Sequence, residues 1–312
     1  MSLIGNTPLI KINYLNNGKE NYVYVKLEYY NLTGSIKDRI IYYILDKAIE
    51  QGNLKDNMPI VEATSGNTGI SISAIGAYLK HKVYIYMPDW VSDERLKLMK
   101  LYGADVTLIS KEDGGFIKCI EEAEKFAKNN NGFLTHQFDN LDNVEAHYNT
   151  TGKEITDKIK VDAFISGIGT GGTLIGVAKK LKEKNKNVKI YALEPSNMSL
   201  IKNNTKGEHK IEGIGDEFIP SLVNLDIIDD IILISDEEAL EMTQKLSKEL
   251  GIGVGISSGA NMLAAIKLRE LGYDNVVTIF PDDSKKYLST DLTHNESNKL
   301  KNIILLDYEN ID

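Results

Sequence analysis

Cysteine is nearly missing from this sequence: Cys119 stands alone among 312 residues. A single thiol excludes an internal disulfide framework and a thiolate zinc site, so no metal is expected and a reducing, cytoplasmic setting is. Cys119 lies in an amphipathic run with Phe116, Ile117 and Ile120, which predicts a buried structural thiol. No apolar run approaches the roughly 20 residues that span a bilayer. Met1-Ser2-Leu3-Ile4-Gly5 lacks the basic-then-apolar pattern of a signal peptide. No membrane partner is expected. Basic patches are missing as well: the net charge is −9, and lysines such as Lys179, Lys180 and Lys182 lie beside acids such as Glu183. That is a solvated helix face and not a phosphate-binding surface, so no nucleic-acid partner is expected. There is no internal repeat, low-complexity tract or proline-rich linker.

What is present is an ordinary globular mixture, 42% hydrophobic and 26% charged, long enough for two packed cores. Short β-branched runs read as buried strands at 59–63 (PIVEA), 82–87, 105–109, 162–166, 188–193 and 275–280. Helical periodicity lies between them at 70–79, 93–101, 115–127, 173–181, 237–250 and 260–271. This alternation predicts βαβ units and parallel sheet, in two sets that meet near residue 140. The expected fold class is α/β: two open twisted domains facing each other across a cleft. Ligands in such folds bind at the carboxyl ends of the strands.

Three loops there are rich in small polar residues. Thr64-Ser65-Gly66-Asn67-Thr68-Gly69 follows a strand and opens a helix, an anion site by construction and more than an N-cap requires. Gly167-Ile168-Gly169-Thr170-Gly171-Gly172-Thr173 satisfies G-x-G-x-x-G, with Glu194 ending the next strand. An NAD-dependent oxidoreductase therefore stays open on this motif, although the two threonines suit a terminal phosphate monoester better. Gly255-Ile256-Ser257-Ser258-Gly259-Ala260 is evenly balanced between a helix cap and a ligand loop. Lys37, in Thr33-Gly34-Ser35-Ile36-Lys37-Asp38-Arg39, falls in the first turn of a helix that Ser35 can cap. A helix dipole opposes a cation there, and with desolvation it favours the neutral amine that forms imines.

Taken together, these motifs resemble the cysteine synthase family, that is O-acetylserine sulfhydrylase and cystathionine β-synthase-like enzymes of the tryptophan synthase β fold (pyridoxal-phosphate fold type II). Ile4-Gly5-Asn6-Thr7-Pro8-Leu9, Lys26-Leu27-Glu28, the lysine motif, the three loops, His147 to Gly152 and Gly213-Ile214-Gly215 follow in the family's order. The resemblance implies pyridoxal 5′-phosphate (PLP) as cofactor, held as a Schiff base on Lys37. It implies that Gly169, Thr170, Gly171, Gly172 and Thr173 hold the phosphate, Asn67 the 3′-oxygen and Ser257 the ring nitrogen. Thr64, Ser65, Asn67, Thr68 and Gln137 would grip the carboxylate of a small amino-acid substrate. Residues 1–36 plus 145–312 would form the larger domain, residues 37–144 a smaller mobile one, and two chains a homodimer. The implied reaction is β-replacement or β-elimination at L-cysteine or O-acetyl-L-serine through an α-aminoacrylate intermediate.

The chain departs from the family at two places. After Gly213-Ile214-Gly215 the family commonly has Ala-Gly, whereas here Asp216 and Glu217 stand. A carboxylate near the path of bisulfide would repel it by about 1–4 kcal/mol at dielectrics between water and a protein surface. The same carboxylate would serve a neutral nucleophile as general base. The expectation is L-cysteine β-replacement that releases hydrogen sulfide, with water giving L-serine or a second thiol giving lanthionine. Asp216, held next to Gly215, is the expected base, and Glu217 is expected to face solvent; plain O-acetylserine sulfhydrylase is the alternative. Asp282 and Asp283 depart from the family's Ser-Gly-Glu-Arg in a way that sequence alone does not interpret.

Overall fold

The structure, a computed structural model, describes residues 1–293 and 299–311. It opens with a hairpin, β1 (Leu9–Asn16) and β2 (Lys19–Leu27), turned by Asn17 at φ 51° and Gly18 at φ 76°. Positive φ at both positions is what a two-residue turn between twisted strands demands, and Asn-Gly meets it cheaply. The alternation LIKINYLN and this Asn-Gly pair are the sequence signals of the hairpin, which lies outside the six strands expected from β-branched runs.

The middle of the chain builds a parallel four-stranded sheet. Its elements are α1 (Lys37–Glu50), β3 (Ile60–Ala63), α2 (Asn67–Tyr78), β4 (Val83–Pro88), α3 (Asp93–Leu101), β5 (Asp105–Ile109), α4 (Gly115–Asn130) and β6 (Phe133–Leu134), in strand order β5-β4-β3-β6. Next come α5 (Leu141–His147), a π-helical turn at Tyr148–Gly152 and the short α6 (Lys153–Thr156). The remainder is β7 (Ala163–Gly167), α7 (Gly172–Lys184), β8 (Lys189–Pro195), β9 (Asp230–Ile234), α8 (Asp236–Leu250), α9 (Ile256–Glu270), β10 (Val276–Phe280) and β11 (Ile303–Asn310). These strands join the hairpin in one sheet of order β11-β1-β2-β10-β7-β8-β9, antiparallel at the β1 pairings and parallel elsewhere.

The six predicted strands and six predicted helices all form, with ends displaced by up to four residues. Three readings need correction. Residues 105–109 are not a buried strand: β5 is the edge of its sheet and only Ile109 is buried. Ser35 is not the cap of α1, because Ile36 occupies that position; the Ser35 hydroxyl instead accepts from the Lys37 N–H at 3.3 Å. The loop at 255–260 is mostly helix, since α9 begins at Ile256 and its cap, Gly255, has no side chain to offer.

Each sheet has its own core. Ile40, Ile41, Ile70, Ile72 and Ile85 pack α1 and α2 on the four-stranded sheet, and Leu246, Met262, Leu263 and Phe280 pack α8 and α9 on the larger one. Cys119 is buried on α4, and burial pushes its thiol up to about 11, which makes it unreactive at neutral pH. The segments that follow β3, β7 and β10 converge on one cleft between the sheets.

Candidate active site

Lys37 is the first residue of α1, and its amine opens into that cleft. Burial lowers its pKa from the ordinary 10.5, against the opposing pull of Asp216 and Asp282. One cavity by Lys37 is lined by Asn67, Gly169, Thr170, Gly171, Thr173 and Ser257. Gly172 forms the floor of the same loop as the first residue of α7. Gly171 sits at φ 85°, which turns the chain so that α7 points its free N–H groups inward. A Cβ on Gly172 would collide with the Asn143 amide, and one on Gly169 with the Gly213 carbonyl.

The hydroxyls of this loop are held from outside. Asn143 Nδ2 donates to Thr170 Oγ1 at 2.9 Å and to the Gln137 carbonyl at 2.8 Å. His147 bridges Thr173 Oγ1 at 3.1 Å and Thr151 Oγ1 at 3.0 Å through its two ring nitrogens. Burial, with Arg39 and Lys37 nearby, keeps this imidazole well below its ordinary pKa and therefore neutral. His147 opens the family-like stretch 147–152, although its hold on Thr173 was not foreseen, and Asn143 carries no motif of its own.

A second cavity joins Lys37 to Thr64, Ser65, Asn67, Thr68 and Gln137, with Asp216 opposite. Thr68 Oγ1 donates to Gln137 Oε1 at 2.6 Å, and Gln137 Nε2 to the Ala63 carbonyl at 3.2 Å. Thr64 Oγ1 accepts from the Gly66 N–H at 3.1 Å, so this loop is braced by its own side chains while Ser65 stays exposed to the cleft. Asn67 Nδ2 donates to Asp282 Oδ2 at 2.7 Å, as does the Tyr287 hydroxyl. Asp282, whose role the sequence left blank, is thus a fully buried acceptor that orients Asn67. Asp283 lies farther out, 3.6 Å from Lys286 Nζ.

Asp216 is pushed above the ordinary carboxylate range by burial, against the attraction of Lys37 and His209. Its loop is pinned at both sides: the Gly215 N–H donates to the Ile168 carbonyl at 2.9 Å, and His209 Nε2 donates to the Gly215 carbonyl at 2.9 Å. Glu217 is exposed, near Lys111. Arg95, from α3, crosses the cleft to pair with Glu212 and lies 5.0 Å over the Tyr287 ring. It packs so tightly on Gly66 that a Cβ there would come within 2.6 Å of its side chain. Sequence reasoning missed Arg95 because a lone arginine on an amphipathic helix has no distinguishing pattern.

The family described as "Pyridoxal-phosphate dependent enzyme" matches residues 1–282. A curated cysteine synthase from Staphylococcus aureus is 41% identical over 93% of this chain and 95% of its own length. The chain belongs to the cysteine synthase family of PLP-dependent enzymes. A hydrogen sulfide-producing enzyme from Fusobacterium nucleatum is 48% identical, with a TM-score of 0.95 over 99% of this chain and 97% of that one. A cysteine synthase from Entamoeba histolytica, 40% identical, has a TM-score of 0.87 over 96% and 92%. The glycine fingerprint at 167–172 is therefore a PLP-family loop, and the NAD reading is withdrawn. The donor set fits the cofactor: an amine for its aldehyde, a helix N-terminus with two hydroxyls for its phosphate, and Asn67 and Ser257 for the polar positions of its ring. The reaction class is PLP-dependent β-replacement. Among the described residues no helix is long and apolar enough to cross a membrane, and no cluster of three or more His, Cys, Asp or Glu could hold a metal.

Proposed function

We propose that this enzyme acts on L-cysteine, releasing hydrogen sulfide and adding a neutral nucleophile at the β-carbon. The observation that carries the reading is Asp216, a half-buried carboxylate lining the same cavity as Lys37, where a bisulfide-using enzyme would gain nothing from an anion. Lys37 holds the cofactor covalently and moves the α-proton. Gly169, Thr170, Gly171, Gly172 and Thr173 hold its phosphate, Asn67 its 3′-oxygen and Ser257 its ring nitrogen. Bound there, PLP supplies the electron sink for charge left at the substrate's Cα. Thr64, Ser65, Asn67, Thr68 and Gln137 take the substrate carboxylate on α2's N-terminus. Asp216 then accepts the proton of the attacking group.

The relatives support this reading in part. The Fusobacterium enzyme produces hydrogen sulfide, and an aspartate-to-asparagine variant of such an enzyme, 49% identical to this chain, was obtained with an α-aminoacrylate intermediate. The test uses L-cysteine alone. The parent enzyme should release sulfide continuously, while Asp216→Asn should release one equivalent and then slow by roughly 10²- to 10⁴-fold, the usual worth of a positioned base. Bisulfide, already an anion, should still react with the stalled variant. If L-cysteine yields no sulfide, but O-acetylserine and bisulfide yield cysteine, the enzyme is a plain O-acetylserine sulfhydrylase. Borohydride reduction and peptide mapping should place a phosphopyridoxyl group on Lys37; a label on Lys26 would overturn that assignment.

A further inference from the structure

One buried acid has no part in the site described above. Glu62 lies in β3, two residues before the loop at 64–69, and is only 5% exposed. A carboxylate is costly to bury unless donors meet it, so its partners show what it is there to hold.

β3 and β6 pair in parallel at Ile60 with Phe133 and at Val61 with Leu134, and there the ladder stops. The chain then leaves the sheet through Thr135, His136 and Gln137, with His136 at φ 51°. That left-handed conformation is strained for a residue with a side chain and persists where the surroundings enforce it. It leaves His136 exposed and turns Thr135 and Gln137 into the interior. The donors of this turn converge on Glu62. Thr135 Oγ1 donates to Oε2 and the Ala63 N–H to Oε1, while the backbone N–H groups of His136 and Gln137 stabilise the same carboxylate. Successive N–H groups about a left-handed residue form a concavity that suits an anion. Here the anion is a side chain of the neighbouring strand.

What the turn carries is Gln137. Its Nε2 donates to the Ala63 carbonyl at 3.2 Å and its Oε1 accepts from Thr68 at 2.6 Å, so it bridges the end of β3 and the first turn of α2. An amide at position 62 would offer these donors one acceptor oxygen where the carboxylate offers two. We propose that Glu62 is a positioning residue for the substrate carboxylate: as an internal anion it holds the turn at 135–137, and through that turn it sets Gln137 against the loop at 64–69. The inference rests on the reading that Gln137 and this loop take the carboxylate. It applies to L-cysteine and O-acetyl-L-serine alike.

The experiment is run at pH 8, above the value of about 7 to which burial raises Glu62. The holoenzyme is assayed with L-cysteine, or with O-acetyl-L-serine and bisulfide. Glu62→Gln should raise KM for the amino acid on the order of tenfold, the worth of a charge-assisted hydrogen bond, and leave kcat nearly unchanged. Gln137→Ala should raise KM as well, and the double variant should be no worse than Gln137→Ala alone. Amide exchange over residues 135–137 should quicken in Glu62→Gln, since its donors lose an acceptor. Thr135→Val removes one partner at constant shape and should also raise KM; it stands in if Glu62→Gln does not fold. Unchanged KM or unchanged exchange, with Gln137→Ala still raising KM, would overturn the role of Glu62 and leave the carboxylate reading intact. Losses that add in full in the double variant would overturn it too, because Glu62 would then act by another route. If Gln137→Ala leaves KM as it was, the carboxylate reading falls and the inference with it.

Discussion

At the scale of single residues, the site depends on atoms that are missing. Gly172 is glycine because Asn143 occupies the space where a Cβ would lie, and Asn143 ties Thr170 to the backbone of Gln137. Gly172→Ala should therefore disturb both the loop at 169–173 and the loop at 64–69, which Gln137 braces. We expect the dissociation constant for PLP to rise at least about tenfold, the consequence of losing one or more buried hydrogen bonds; titration of apoenzyme followed by cofactor absorbance would measure it. Unchanged affinity would mean that Asn143 moves aside freely. Asp216 shows the opposite dependence, on an atom added where the family commonly has none.

At the scale of elements, β3 carries an unusual load. Glu62 is buried within it, accepting from Thr135 Oγ1 and from the Ala63 N–H at 2.9 Å, and burial raises its pKa to about 7. The folded state therefore holds a proton that the unfolded chain releases near 4.5. This contribution is complete below pH 4.5 and is lost as pH rises through about 7, a change of at most about 3 kcal/mol at 1.36 kcal/mol per unit. Glu62→Gln cannot titrate: its Oε1 can still accept from the Ala63 N–H, while its amide nitrogen donates to Thr135 Oγ1 in place of accepting from it. Urea midpoints at pH 5 and pH 8 should differ less for the variant than for the parent; an equal difference would show that Glu62 is not the group responsible. On α8 the capping box of Ser235 and Glu238 predicts a loss of about 1 kcal/mol for Ser235→Ala, read from the same titration.

At the scale of the whole molecule, side chains tie the two sheets together across the cleft. Phe138 packs edge-on against Phe218 at 5.0 Å, two residues from Asp216, and Ser221 Oγ donates to Asp139 at 2.6 Å. Ser92 Oγ donates to the Lys286 carbonyl at 2.8 Å, and Arg95 pairs with Glu212. A double-mutant cycle with Phe138→Ala and Phe218→Ala should give a coupling of about 0.5–1.5 kcal/mol. Additive losses would mean that the rings meet without holding the cleft. Because the loop at 64–69 and Asp216 line one cavity from different sheets, substrate bound there should also shield α3 and residues 212–218 from hydrogen exchange. Identical exchange with and without L-cysteine would count against closure.

The sequence by itself determined the elements and the order of the loops. Short β-branched runs, helical periodicity and glycine-rich turns act over a few residues, so strands 59–63 or 275–280 and the loops at 64–69 and 167–173 were legible locally. The hairpin was legible too, through Asn17-Gly18, but βαβ expectations masked it. The sequence pointed to Asp216 over Glu217, and the tertiary structure supplied the reason: Ile168 and His209 pin Gly215 from other parts of the chain, which leaves Asp216 lining the cavity of Lys37 and Glu217 exposed. Only the tertiary structure decided that β5 is an edge, that Asp282 orients Asn67, and that Arg95 reaches across the cleft. Each of these depends on what a side chain meets from tens to hundreds of residues away, and burial and unmet hydrogen bonds exist only once those partners are in place.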